Sequence, residues 1–195
     1  MTQKKILNAA TTEAKELQEK GWEVVARSWG AGIDPELLEA DKLSRFIDEA
    51  LPIIIRPLTI ADVEAVVEFD EMTFKDFPGD IATKREKPLI SDEATPSEVR
   101  LGWGVFSNNQ MVGMLYVDIV GRHGNGVEID FYSVNSALKG KGVGKALLAT
   151  AILKMIAEGI KSIRTGVADE NVASITALES VGFVRDEEWL TLAAN

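Results

Sequence analysis

The chain has 195 residues, 46% of them hydrophobic, enough to bury one sizeable globular core. It holds no cysteine and a single histidine, His123, which excludes a disulfide framework, a thiolate nucleophile and clustered Cys or His metal sites, and leaves little room for a Ser-His-Asp triad. The formal net charge of −10 argues against nucleic-acid binding; no apolar run approaches membrane-spanning length and the N-terminus lacks a signal peptide's apolar stretch, so a cytoplasmic protein with no nucleic-acid or membrane partner and no metal is expected.

In chain order, Thr12 to Lys20 predicts a helix ended by Gly21. Trp22 to Trp29 is a candidate strand. Asp34-Pro35 has the form of an N-cap and first helical residue for a helix over Glu36 to Ala50, with Leu37, Leu38, Leu43, Phe46 and Ile47 on its apolar side. Residues 1–51 are therefore expected as a largely helical extension of a main domain over 52–195. Pro52 to Thr59 is an apolar run suited to a buried strand, and Thr59 to Asp62 opens a helix carrying Val63, Val66, Val67 and Phe69. Phe74 to Gly79 breaks the pattern. Residues 80–98, with Pro88 and Pro96 and few large apolar groups, predict a loop. Val99–Phe106 and Met111–Val120 form a predicted hairpin around Ser107 to Gln110, and a glycine-rich turn at 121–126 carries His123, expected as an exposed loop residue.

The stretch from Val127 to Leu148 follows: a β-branched and aromatic strand to Val134, a polar break over Asn135 to Lys139, then glycines at 140, 142 and 144 interleaved with Lys139, Lys141 and Lys145. From Val143 on, Val143, Leu147, Leu148, Ala151 and Ile152 recur at helical spacing. The first turn of a helix offers unpartnered N–H groups and partial positive charge; glycine lets a ligand approach, and lysine adds full charge. Phosphate or diphosphate is the matching ligand. A P-loop does not fit, because Gly140 and Gly144 enclose three residues and Ala146 follows Lys145. The G-x-G-x-x-G dinucleotide fingerprint is one residue too long for Gly140-Lys141-Gly142-Val143-Gly144.

Lys139-Gly140-Lys141-Gly142-Val143-Gly144 instead resembles the acyl-CoA loop [Arg/Gln]-x-x-Gly-x-[Gly/Ala] of the GNAT N-acetyltransferase superfamily, with Lys for Arg or Gln. Further along, a strand over Ile160 to Val167 leads to Asn171-Val-Ala-Ser174-Ile175-Thr-Ala177-Leu178 and Val181-Gly182-Phe183, which resembles the family's second signature, N-x-x-A-[I/S]-x-L-Y-x-x-x-G-F. Ile55-Arg56-Pro57 with Asp62 resembles the family's opening. The resemblance covers roughly Ile53 to the C-terminus, ending in a short pairing of Phe183-Val184 with Trp189 to Leu192. It implies an α/β (α+β) GNAT fold, a mixed and mostly antiparallel sheet flanked by helices, with the N-terminal extension added. The helix, Gly21, Trp22 and strand also repeat the layout of Leu178, Gly182 and Phe183, so the N-terminal segment resembles the tail of a preceding repeat in tandem GNAT proteins.

The resemblance implies N-acetyl transfer from acetyl-CoA to a primary amine by direct attack in a ternary complex. The acceptor would be a small molecule or a peptide amine. Lys139, Gly140, Lys141, Gly142, Val143, Gly144 and Lys145 would hold the diphosphate, and 80–98 would cap the acceptor pocket. Ser133 and Val134, where the strand splays from its neighbour, would supply the backbone donor and the slot for the pantetheine arm. Asn171 would touch that arm, cap its helix, or both. Glu128 matches the E-I-x-x-x-x-[V/I] layout of the histone-acetyltransferase branch, where that Glu is the base. Period-two alternation sets Asp130 and Tyr132 on the same face as Glu128, either as a catalytic group or as a solvated face. The family's acidic Tyr falls at Leu178, which cannot donate a proton; Tyr132 is the nearest substitute in sequence. That gap keeps open a non-catalytic acyl-CoA-binding or interaction module, a degenerate half of a tandem pair. A homodimer is one assembly left open.

Overall fold

The structure, a computed structural model, describes residues 3–50, 52–74, 100–118 and 126–194. The expectations for 75–99, including the acceptor cap, and for 119–125 with His123 lie outside these residues. Eight strands form one sheet: β1 (Lys4–Asn8), β2 (Glu23–Ile33), β3 (Ile54–Pro57), β4 (Arg100–Ser107), β5 (Gln110–Asp118), β6 (Gly126–Val134), β7 (Ser162–Ala168) and β8 (Val184–Ala193). Their spatial order is β1-β8-β2-β7-β6-β5-β4-β3, and every neighbouring pair is antiparallel except β6 with β7. Among the described residues the α-helices are α1 (Thr12–Glu19), α2 (Ala40–Asp48), α3 (Val63–Phe74), α4 (Val143–Ala157) and α5 (Val172–Ser180).

The N-terminal segment is not a helical appendage. Its strands join the sheet, and β2 lies between β7 and β8. Three local expectations change with it. Asp34 caps only a 3-10 turn, accepting from the Glu36 N–H at 2.9 Å, so the second helix starts at Ala40 and Leu37 stays 80% exposed. Among the described residues the Ile54 strand is an edge strand that pairs only with β4, and Ile54 faces solvent. The last strand is ten residues long because it has neighbours on both sides, β1 and β2.

The pairing pattern contains an internal two-fold. β1–α1–β2 repeats β7–α5–β8, and the two units exchange strands about the Ser28–Trp189 pair. On one side of it Trp29 meets Glu188, Gly30 meets Glu187, and Ala31 meets Arg185 past a bulge. On the other Arg27 meets Leu190, Ala26 meets Thr191, and Val24 meets Leu192 past the matching bulge. The outer ladders agree as well: Trp29–Val167 corresponds to Leu190–Leu7, and Gly32–Arg164 to Ala193–Lys4. So do the helix ends. Thr11 and Asn171 each cap a helix through a side-chain oxygen. Gly21 and Gly182 each sit at positive φ, and the next amide, Trp22 or Phe183, bonds back to the carbonyl of Leu17 or Leu178. Such a turn needs a residue that tolerates φ near +90°, which glycine does without a Cβ penalty. The two units differ at one matching position: β1 carries Lys5, ion-paired to Glu13, where β7 carries buried Thr165.

The main core lies between the sheet and α2, α4 and α5. Leu147, Leu148, Ala149, Ala151, Ile152 and Met155 of α4 are fully buried, together with Leu43, Ile163 and Leu178. A second core lies under α3, where Val66 and Phe69 meet Met114, Tyr116 and partly buried Phe131. The start of α3 is fixed by Asp62. Its carboxylate accepts from the Thr59 N–H (2.8 Å), the Thr59 hydroxyl (2.9 Å) and two Arg56 nitrogens (2.7 and 2.8 Å). The Arg56 guanidinium, ahead of the Thr59 groups, holds the Asp62 carboxyl well below its ordinary value of 3.8. A depressed folded-state pKa means that this stabilisation is complete above the unfolded value and fades as pH falls below it. Asp62→Asn should cost about 1–2 kcal/mol at pH 7, a modest figure because Arg56 is partly solvated. The cost should shrink as pH drops below about 4, where the unfolded carboxyl protonates. Urea melts of both proteins at pH 7 and pH 3 check this; a pH-independent difference would remove the ion pair as the cause.

Candidate active site

The parallel ladder between β6 and β7 is short. It runs from Gly126–Ser162 to Ile129–Thr165 and stops. Beyond it, Gly166 to Ala168 pair only with β2, while Phe131 to Val134 pair only with β5. The Thr165 hydroxyl donates to the Ile129 carbonyl at 2.9 Å and closes the last rung. The strands therefore part where the sequence places Ser133 and Val134. Asn135 donates its N–H to Val112 on β5 at 2.8 Å. Alternation then turns the Val134 N–H away from β5, toward the gap. A Cβ on Gly113 of β5 would lie 3.1 Å from the Ser133 carbonyl oxygen, so that carbonyl faces the other way. An extended ligand in the gap would meet a free strand edge, as an added strand does.

The loop beyond β6 takes one 3-10 turn, Ser136–Leu138, capped by Asn135 Oδ1 on the Ala137 N–H (2.9 Å). Gly140 and Gly142 have φ of +78° and +80°, and no atom lies within 4 Å of where their Cβ atoms would stand. Gly142 is the N-cap of α4 but supplies no side-chain cap, and the first turn holds no acidic residue. The first bond into the helix runs from the Ala146 N–H to the Gly142 carbonyl, 3.0 Å. The amides of Val143, Gly144 and Lys145 precede it, at the positive end of the helix dipole. Lys139 and Lys141 are exposed beside them, and Lys145 is half-buried. Helices normally cap such an end with Ser, Thr, Asp or Asn; here glycines and lysines leave it suited to an anion.

Of the two predicted catalytic side chains, Glu128 and Tyr132, the structure separates the faces. A bulge at Asp130 interrupts the β5–β6 register between Tyr116–Phe131 and Val117–Ile129. Val127, Ile129, Tyr132 and Val134 point to the α4–α5 core, while Phe131 points to the α3 core. Glu128 lies exposed between buried Val127 and Ile129, on the face opposite Tyr132. The single-face expectation for Glu128, Asp130 and Tyr132 is thus corrected, because the extra residue resets the alternation. The Tyr132 hydroxyl donates to the Ser174 carbonyl on α5 at 3.2 Å, reaching across the mouth of the gap. Burial pushes its pKa up from 10.0, opposed in part by that hydrogen bond. Asn171 Oδ1 accepts from the Ser174 N–H at 3.1 Å, the N-cap role. Leu178 is fully packed in the core.

Sequence inspection passed over Arg164, the register partner of Glu128. Asp186 takes both its terminal nitrogens at 2.8 Å across Gly32 of β2, where a Cβ would come within 3.2 Å of Arg164 Nη1. Those hydrogen bonds, then the charges of Asp186, Glu187 and Glu128, raise the Arg164 pKa against the opposing effect of burial. No local pattern announces this, since the partners come from three other strands. Among the described residues no cluster of metal-ligating side chains occurs, and no helix is long and apolar enough to cross a membrane.

A mixed sheet whose parallel central strands part beside an uncapped, glycine-lined helix start is the GNAT fold, and solved structures agree. A GCN5-related N-acetyltransferase from Sphaerobacter thermophilus matches with TM-score 0.70 at 16% identity, over 100% of this chain and 59% of that one. A tandem GNAT protein from the clavulanic acid biosynthesis pathway matches with TM-score 0.67 at 13% identity, over 99% of this chain and 63% of its own. A GCN5-related N-acetyltransferase from Kribbella flavida gives 0.62 at 14% identity, with 97% and 67% covered. This chain thus spans about three fifths to two thirds of the length of these structures. No curated protein sequence matches. Residues 66–183 match the acetyltransferase (GNAT) family, and the chain belongs to that family.

Proposed function

We propose that this protein transfers an acetyl group from acetyl-CoA to a primary amine, in the cytoplasm and without a metal. The observation that carries this is the adjacency of two features: the anion-ready start of α4 and the gap that opens after the Ile129–Thr165 rung. A ligand with a diphosphate at one end and an amide-bearing arm at the other fits both. In this assignment Lys139, Gly140, Lys141, Gly142, Val143, Gly144 and Lys145 hold the diphosphate, and the arm lies along Ser133 and Val134, near Asn171. The Val134 N–H polarises the thioester carbonyl.

The amine nitrogen attacks the thioester carbon, and the C–S bond breaks as the C–N bond forms. Glu128 accepts the ammonium or amine proton, directly or through water. The Tyr132 hydroxyl gives a proton to the departing thiolate. A phenol held protonated by burial can act as an acid at neutral pH. With no cysteine in the chain, a cysteinyl acyl-enzyme is excluded and attack is direct. The acceptor is a small molecule or a peptide amine, and a homodimer is an assembly to be tested by sedimentation. One observation favours the second reading, a non-catalytic acyl-CoA-binding module: Leu178 occupies the family's acid position.

Calorimetric titration with acetyl-CoA, with dephospho-CoA and ATP as controls, tests the donor site. We expect micromolar binding of acetyl-CoA and weaker binding of the controls. Lys139→Ala should weaken acetyl-CoA by about threefold to tenfold, the worth of one charge-assisted contact near the surface. Thiol release in the presence of an amine panel then separates enzyme from binding module. A folded protein that does not bind acetyl-CoA would end the proposal.

A further inference from the structure

Lys145 stands in the first turn of α4, where a cation opposes the helix dipole and acidic residues are preferred. A group outside the family-matched segment faces it. The ring of Phe46, on α2, has its centroid 5.4 Å from Lys145 Nζ, within the range of a cation–π contact. α2 is seated firmly enough to define that geometry. Leu43 is 1% exposed, and Phe46 and Ile47 pack on the same core as α4. Upstream, Leu38 lies so close to Gly182 that a Cβ there would come within 2.6 Å of Leu38 Cδ2. The segment from Leu38 to Ile47 is therefore pinned at the end of α5 and again at the start of α4. Residues 38–47 precede residues 66–183, the part that matches the family.

We infer that Phe46 is a positioning residue of the donor site: its ring holds the Lys145 ammonium at the start of α4, so that the cation is in place when the diphosphate arrives. This rests on the acetyl-CoA assignment above. The ring face offsets the unfavourable dipole in the empty protein and removes rotamers that a long, flexible side chain would otherwise lose on binding. Lys145 stands at the helix start assigned to the diphosphate, whereas the pantetheine arm is assigned to the gap beyond the Ile129–Thr165 rung, so the contact is expected to act on the phosphate end of the donor.

The test compares acetyl-CoA with S-acetylpantetheine, which lacks the diphosphate, on the full chain and on Phe46→Leu, Phe46→Tyr and Lys145→Met. Phe46→Leu keeps an apolar side chain on α2 but loses the π face; Phe46→Tyr keeps the face. We expect Phe46→Leu to weaken acetyl-CoA by about threefold to tenfold with S-acetylpantetheine unchanged, Phe46→Tyr to restore the affinity, and Phe46→Leu to add nothing further on Lys145→Met. Independently of any ligand, the Lys145 side-chain methylene resonances should lie upfield in the parent, from the ring current, and return to ordinary positions in Phe46→Leu. Unchanged acetyl-CoA affinity in Phe46→Leu, equal weakening of both donors, or unshifted Lys145 resonances would each overturn the inference while leaving the donor site standing. Failure of the parent to bind acetyl-CoA would overturn both.

Discussion

A chain lacking residues 1–33 is expected not to fold cooperatively. Both neighbours of β8, β1 and β2, lie in that segment, so the ten residues of β8 would lose every ladder hydrogen bond. β7 would lose one neighbour. Apolar burial goes with them: Leu190 and Leu192 pack against Ala14, Leu17 and partly buried Trp22 and Val24, and Ala31 and Ile33 fill the main core. At about 1.5–3 kcal/mol per large buried side chain, the loss matches the whole stability of a domain, about 5–15 kcal/mol. Near-ultraviolet circular dichroism and a thermal melt of residues 34–195 check this. A sharp melt within a few degrees of the full chain would mean that β8 closes directly onto β7, and that the internal two-fold carries no stability.

Tyr132→Phe is expected to lower kcat of acetyl transfer by about a hundredfold or more, the usual scale for a lost proton donor, with acetyl-CoA affinity little changed. The effect is large because, in the assignment proposed above, the phenol that reaches across the gap is the proton donor, while Leu178 fills the family's position. Since burial raises the Tyr132 pKa above 10.0, its acid form persists through the neutral and mildly alkaline range. The parent's alkaline limb should therefore not fall below pH 10 on account of this group. Glu128→Gln should act on the other partner of the reaction, lowering kcat/KM for the amine. Should Tyr132→Phe retain full kcat, thiolate departure needs no acid here, and the hydroxyl only bridges β6 to α5 through Ser174.

The glycine- and lysine-rich loop at residues 139–145 was legible because its physics is local. Glycines at positive φ, an uncapped helix start and nearby lysines are properties of consecutive residues, and the structure has them where the spacing predicts. The helix ended by Gly182, with Asn171 as its cap, was legible for the same reason. So was the likeness of the Leu17–Trp22 turn to the Leu178–Phe183 turn, which proved to extend through whole strand ladders. The parting of β6 from β7 was expected from resemblance to the family, since nothing in either strand alone marks where pairing stops.

What the sequence by itself determined, then, is the set of turns, caps and charged loops, along with the family and the general form of the sheet. Only the tertiary structure decided that β2 inserts between β7 and β8, that the bulge at Asp130 puts Tyr132 and Glu128 on opposite faces, and that Arg164 and Phe46 stand beside the site. The physical reason is the same in each case. Ladder register and side-chain facing are settled by packing between residues that are not neighbours along the chain, and a single extra residue in one strand reverses every side chain after it.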